Sequence, residues 1–253
     1  MTCIAYKEHR PSTELSKYVD SIWWIGNNDD HRPHRVLPDG CADILFLNPS
    51  ASQHELLVMG AMTQANVYDL PKGQFVGVRF RPGMVSHFVR IPGSEMVNTL
   101  LPLEEAWGRK AKRLADQLLD AGCHDEFTGV FESYLVAHLN GHSLTQPDLS
   151  PTQRALDWAA QVRGRVRMDD LACLAGLSAR QFRRLCLELT GLTPKYLCRA
   201  IRLSNAAAQL MSVNGDGLAR LALDCGYYDQ AHFTNEFRAL AGLTPTDYRA
   251  EIT

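Results

Sequence analysis

One pattern is written twice between Asp169 and Arg249, and no other stretch constrains the fold as strongly. The first copy, Leu171 to Pro194, reads LACLAGLSARQFRRLCLELTGLTP. The second, Leu221 to Pro245, reads LALDCGYYDQAHFTNEFRALAGLTP. Gly176 answers to Gly226, Phe182 to Phe233, and Gly191-Leu192-Thr193-Pro194 to Gly242-Leu243-Thr244-Pro245. The period is about 50 residues, and two copies are too few for a solenoid. Each copy instead reads as a helix, a tight turn at glycine and a second helix. That unit presents its second helix to the major groove of DNA.

The residue pattern on the second helix of each copy supports this use. In the first, Ser178 caps a helix over 179–190 that Gly191 ends. Phe182, Leu185, Cys186 and Leu189 share one side, and Arg180, Arg183 and Arg184 lie on or beside the other. Guanidinium forks suit guanine O6 and N7 or phosphate oxygens. On an isolated helix three such arginines read as a solvated polar face; the turn and the cap favour base contact. In the second copy the helix covers 230–241, with Phe233, Phe237 and Leu240 inward. Ala231, Asn235 and Arg238 face outward, with Gln230 and His232 near the start. Gln and Asn suit adenine N6 and N7; His232 is equally well read as structural. Between the copies, 194–211 reads as one helix of about 27 Å, close to one turn of DNA at about 34 Å.

The rest of the chain reads differently. Ser21–Gly26, 44–46, 56–60, 75–80 and a weaker run near Val67-Tyr68 read as short strands, with Pro38-Asp39-Gly40 a turn. They imply an antiparallel sheet or small barrel. A short helix is expected over 11–19, and from Gly83 onward helices over 84–90, 95–100, 103–107, 109–119 and 126–139. Residues 143–149 read as a linker, and Ser150-Pro151 as the start of the second half. The fold class is therefore α+β and multidomain. Residues 1–142 form a β-rich domain with trailing helices, and 150–253 an all-α domain with helix-turn-helix units at 169–190 and 217–241.

Charge follows this division. The net charge is −2, yet residues 1–149 hold 13 basic and 18 acidic side chains while 150–253 hold 13 and 10. Phosphate contacts need the cationic half. Seven scattered cysteines without a CxxC favour reduced thiols and the cytoplasm. The absence of an apolar run of about 18 residues argues against a membrane span.

The C-terminal residues resemble the AraC/XylS family of bacterial transcriptional regulators. Gly226-Tyr227-Tyr228-Asp229-Gln230-Ala231-His232-Phe233, Phe237-Arg238, Gly242–Pro245 and Tyr248-Arg249 carry the resemblance. It implies seven helices, double-stranded promoter DNA as partner, and base contacts from Arg180, Arg183 and Arg184 and from Gln230, Ala231 and Asn235. The DNA-binding set is thus Ser178, Arg180, Arg183, Arg184, Gln230, Ala231, His232, Asn235 and Arg238. Ala231 offers only an apolar contact. Trp23-Trp24, Leu37–Cys41 with Asp43, and Gly77–Gly83 resemble the sensor half of one branch of the family, which implies a cupin-like ligand or dimerisation domain. RNA polymerase, a small-molecule effector and a second copy of the chain are the further partners that go with this reading.

An enzyme is the alternative, as a metal-dependent cupin fused to a DNA-binding tail. A metal cupin needs an HxH pair with a nearby Glu and a distant His. His31 and His34 are not so spaced, and His54 and His87 lie far apart, so neither a metal site nor a cofactor is expected and no catalytic residue is assigned. Cys41, with His34 near it, lacks a nucleophile elbow and reads as packed. Trp23, Trp24 and Phe80 are the candidates for lining an effector pocket, against the simpler reading of an aromatic core. Arg79 and Arg81 read as solvated strand-end arginines or as anchors for an anionic effector.

Overall fold

The computed structural model describes residues 5–28, 32–50, 53–141, 150–212 and 217–252. The expected linker at 143–149 and His31 lie outside the described residues. The first half is built on an antiparallel sheet of six strands: β1 (Ala5–His9), β2 (Val19–Asn27), β4 (Ala42–Ser50), β5 (Gln53–Met59), β7 (Gly73–Phe80) and β8 (Leu100–Pro102), in the order β1-β2-β7-β4-β5-β8. Two further strands, β3 (Arg32–Val36) and β6 (Asn66–Leu70), pair only with each other, His34 opposite Tyr68.

Register decides which side chain goes where, because successive residues of a strand face opposite ways. Trp23 lies opposite Gly77 and Gly77 opposite Leu45; Arg79 lies opposite Asp43 and Asp43 opposite Met59. These residues share one face of the sheet. The intervening ones, Ile22, Ile44, Phe46, Val58, Val76, Val78 and Phe80, are buried on the other. There they meet the trailing helices α1 (Ser86–Val89), α3 (Leu103–Trp107), α4 (Arg109–Asp120) and α5 (His124–Gly141) through Phe88, Leu103, Leu114, Phe127 and Phe131. The buried Trp107 indole N–H donates to the Phe88 carbonyl at 2.9 Å.

Two expected helices are not formed. Over 11–19 the chain makes a run of turns, with Tyr18 N–H donating to Leu15. The helix expected over 95–100 stops early: α2 is only Gly93–Met96, Val97 is extended and Asn98 takes φ 57°. Leu100 is then free to pair as β8 with β5.

Among the described residues the second half has seven helices: α6 (Pro151–Gln161), α7 (Met168–Leu174), α8 (Ala179–Thr190), α9 (Pro194–Leu210), α10 (Leu218–Asp224), α11 (Gln230–Ala241) and α12 (Pro245–Ile252). Leu156, Leu171, Phe182, Cys186 and Leu197 form one core; Leu203, Leu210, Leu221, Phe233, Phe237 and Leu240 form another. Helix α9 supplies Leu197 and Cys198 to the first and Leu203, Ala206 and Leu210 to the second. One rigid rod therefore joins the two units, about 25 Å long for its 17 residues.

Candidate nucleic-acid interface and ligand cavity

Each reading helix is set by its ends. Ser178 accepts from Gln181 N–H at 3.3 Å while the Gln181 side chain accepts from Ser178 N–H at 3.1 Å, a reciprocal cap on α8. Gly191 closes the helix at φ 74°. On α11, Asp229 accepts from His232 N–H at 2.7 Å and Gly242 closes at φ 77°. With both ends fixed, the buried stripe sets the roll. Phe182 and Cys186 point inward, and Arg180, Arg183 and Arg184 are exposed. Phe233, Phe237 and Leu240 point inward, and Gln230, Ala231, His232, Asn235 and Arg238 are exposed.

The structure thus brings together on two outward faces the side chains expected there, with two qualifications. The Ser178 hydroxyl is occupied by its cap, donating to Gln181 Oε1 at 2.7 Å. His232 Nδ1 accepts from Tyr228 N–H at 3.2 Å, and its ring meets Tyr227 edge-on at 5.6 Å. These contacts tie His232 to the turn before α11.

The exposed face of the six-stranded sheet and the β3–β6 ribbon enclose a cavity of about 590 Å³. Trp23, Leu45, Phe75 and Met59 form its floor, and Val36, Tyr68 and Leu70 come from the ribbon. Gly77 is required beneath the Trp23 ring, since a Cβ there would lie 2.2 Å from it. At one end Arg79 stands between Asp39 (3.2 Å) and Asp43 (3.7 Å), and the Trp23 indole N–H donates to Asp43 at 2.9 Å. Burial pushes the Asp43 carboxyl up to about 6, against the opposing pull of Arg79. Burial on its own would lower the Arg79 pKa; Asp39 and Asp43 outweigh it and hold the guanidinium charged.

Of the three aromatic residues expected to line a pocket, only Trp23 does so. Trp24 and Phe80 are a correction: one step along each strand turns them to the helix-covered face, where Phe80 is fully buried and Trp24 packs against the core. Arg79 is likewise no solvated strand-end group. Cys41 lies beside this cluster, and burial with Asp39 nearby drives its thiol well above the ordinary range, the reverse of an activated nucleophile. Sequence reasoning offered Arg79 as an anchor for an anionic effector but did not pair it with Asp39 and Asp43, although the alternation of 75, 77 and 79 against 43, 45 and 47 was available to bring Arg79 and Asp43 to one face.

The two halves are in contact. Arg81 pairs with Asp157 at 3.2 Å, and Gln153 Nε2 donates to the Pro82 carbonyl at 3.0 Å. Gly93 lies against α8, where a Cβ would fall 2.3 Å from the Leu189 carbonyl oxygen. The second unit is held too: Arg35 of β3 donates to both Glu251 oxygens (2.8 and 3.0 Å) and to the Ala241 carbonyl (3.2 Å). Ala65 N–H donates to the Leu240 carbonyl at 2.8 Å, and the Tyr196 hydroxyl to the Thr63 carbonyl.

Residues 171–251, the segment that carries both reading helices, match a family model described as a helix-turn-helix domain. This segment is a helix-turn-helix domain. Residues 7–102, which include the sheet and the ribbon, match a domain of unknown function, DUF6597. The chain is also similar to curated proteins. The HTH-type transcriptional activator RhaS of Escherichia fergusonii is 29% identical over 125 residues, 49% of this chain and 38% of that protein. The Transposon Tn10 TetD protein of Escherichia coli is 34% identical over 82 residues, 32% of this chain and 59% of that one. The chain spans from about a quarter to three-fifths of the curated relatives it matches. Among solved structures, a Chromobacterium violaceum transcriptional regulator with an AraC-type DNA-binding domain superposes on 41% of this chain and 92% of its own. Its TM-score is 0.37 at 25% identity. Among the described residues no helix is long and apolar enough to cross a membrane.

Proposed function

We propose that the chain is a sequence-specific regulator of transcription. It binds promoter DNA through two unequal reading heads on α9 and takes a small-molecule effector in the cavity of its first half. The observation that carries this reading is the pair of capped helices presenting their polar faces outward from one rod. The first head, with Arg180, Arg183 and Arg184, has the guanidinium forks that distinguish guanine. The second, with Ala231 at its centre, reads fewer bases. A ligand in the cavity acts only through its differential affinity for two arrangements of the protein. Its apolar body lies on Trp23 and its polar group beside Arg79 and Asp43. RNA polymerase and a second copy of the chain are the further partners such a role implies.

In vitro selection from random duplexes gives the preferred site. Arg184→Ala is then expected to weaken binding to that site by about 1–3 kcal/mol and to relax one base preference, with less effect on random DNA. An equal loss on both would make Arg184 a phosphate contact. A wild-type protein that prefers its selected site no more than random duplex at fixed salt would refute sequence-specific regulation.

A further inference from the structure

Two histidines 115 positions apart in sequence meet at the edge of the first half, away from the cavity. His9 ends the edge strand β1, and His124 begins α5. Their rings lie with centroids 4.1 Å apart and planes tilted by 39°. Both turn a nitrogen towards the same oxygen: His124 Nδ1 lies 3.3 Å and His9 Nε2 3.6 Å from Asp125 Oδ1. The ligand atoms of the three residues all fall within 4.8 Å of one another.

The His124 contact, at 3.3 Å, is a long hydrogen bond and the His9 contact, at 3.6 Å, lies beyond one; both separations suit a shared ion. A charge-assisted N–H to carboxylate bond closes to about 2.7–2.9 Å, and 3.6 Å is beyond hydrogen-bond range. A tetrahedral ion with bonds of about 2.0–2.1 Å holds its ligand atoms about 3.3–3.4 Å apart. The two measured edges bracket that value or lie just beyond it. His124 can ligate only through Nδ1, because its side chain is 9% exposed and its Nε2 is buried with no hydrogen-bond partner. Asp125 is 84% exposed, which leaves the fourth position open to water. The start of a helix repels a cation; the Asp125 carboxylate supplies the opposing charge. The neighbouring Glu126 carboxylate is engaged by Gly122 N–H at 2.6 Å, and the Trp24 ring closes the inner side, 6.3 Å from that of His124.

We propose that His9, His124 and Asp125 form a binding site for a divalent transition-metal ion of the zinc class. Two imidazoles and one carboxylate select such an ion over magnesium or calcium, which take oxygen ligands. The bound ion clips the edge strand β1 to α5. Because β1 also carries Tyr6, which lines the cavity, the clip fixes one wall of the cavity. This site does not depend on the DNA-binding role.

The test is calorimetric titration of the chelator-treated full-length chain with zinc and, separately, with magnesium. The expected result is one zinc per chain at micromolar or tighter Kd, a rise in Tm with zinc, and no response to magnesium. His9→Gln and Asp125→Asn, both at partly or largely exposed positions, are each expected to weaken zinc binding by about tenfold or more with an unchanged far-ultraviolet spectrum. Cys123→Ser, beside the site, is expected to bind zinc as the native chain does. Cobalt in place of zinc is expected to give the visible bands of a tetrahedral site. No saturable zinc binding overturns the proposal. So does zinc affinity that survives both His9→Gln and Asp125→Asn, or that is lost only with Cys123→Ser.

Discussion

Asp43 is the residue whose chemistry the fold changes most. It is 2% exposed, accepts from Trp23 and flanks Arg79, yet its pKa rises from 3.8 to about 6 because burial outweighs the guanidinium. A carboxyl whose folded pKa lies above its unfolded value binds more protons when folded. Its contribution to stability is complete below the unfolded pKa and is lost as pH rises through the folded one. The Tm of the native chain is therefore expected to fall, relative to Asp43→Asn, as pH rises from about 4 to 6. Parallel slopes for the two proteins would show that Asp43 titrates as an ordinary carboxyl. The cysteines make the same point: burial pushes Cys186 up to about 12 and Cys198 up to about 11, so these thiols serve as packing and not as nucleophiles.

Legibility at the scale of elements follows how local the determinants are. Helices α8 and α11 run from Ala179 to Thr190 and from Gln230 to Ala241, as their caps and stop glycines dictate. The strands around Trp23, Ile44, Val58 and Val76 were legible for the same reason, each being a concentrated apolar run. Strand β1 was not: Tyr6, Lys7 and Glu8 are exposed on an edge and carry no apolar alternation. Nor was β8, whose pairing depends on α2 ending at Met96. Helix α2 matters beyond its length because it brings Gly93 against the Leu189 carbonyl. Gly93→Ala is expected to separate α2 from α8, since the added Cβ would lie 2.3 Å from that oxygen and backbone cannot yield as a flexible side chain does. Faster amide exchange in both helices would register it; exchange identical to that of the native chain would refute the contact.

At the scale of the whole molecule, the first half holds both reading heads, the first through Gly93, Arg81 and Pro82 and the second through Arg35 and Ala65. Arg35 belongs to the same short strand as cavity-lining Val36, so the ribbon touches the cavity on one side and the second head on the other. Arg35→Ala is expected to increase amide exchange over 238–252 while leaving α8 unchanged, because it removes the forked pair with Glu251 and the bond to the Ala241 carbonyl. No change over 238–252 would mean that the remaining contacts suffice. The sequence by itself determined the two reading helices, their outward arginine, glutamine and asparagine side chains and the rod between them. Caps, stop glycines and a 3.6-residue stripe act within a dozen residues of chain. Only the tertiary structure decided that Trp23 faces a cavity while Trp24 does not, that Arg79 is held by two carboxylates, and that His9 meets His124. Each of these depends on strand register or on contacts between distant segments, and one residue of slip in a strand reverses every face.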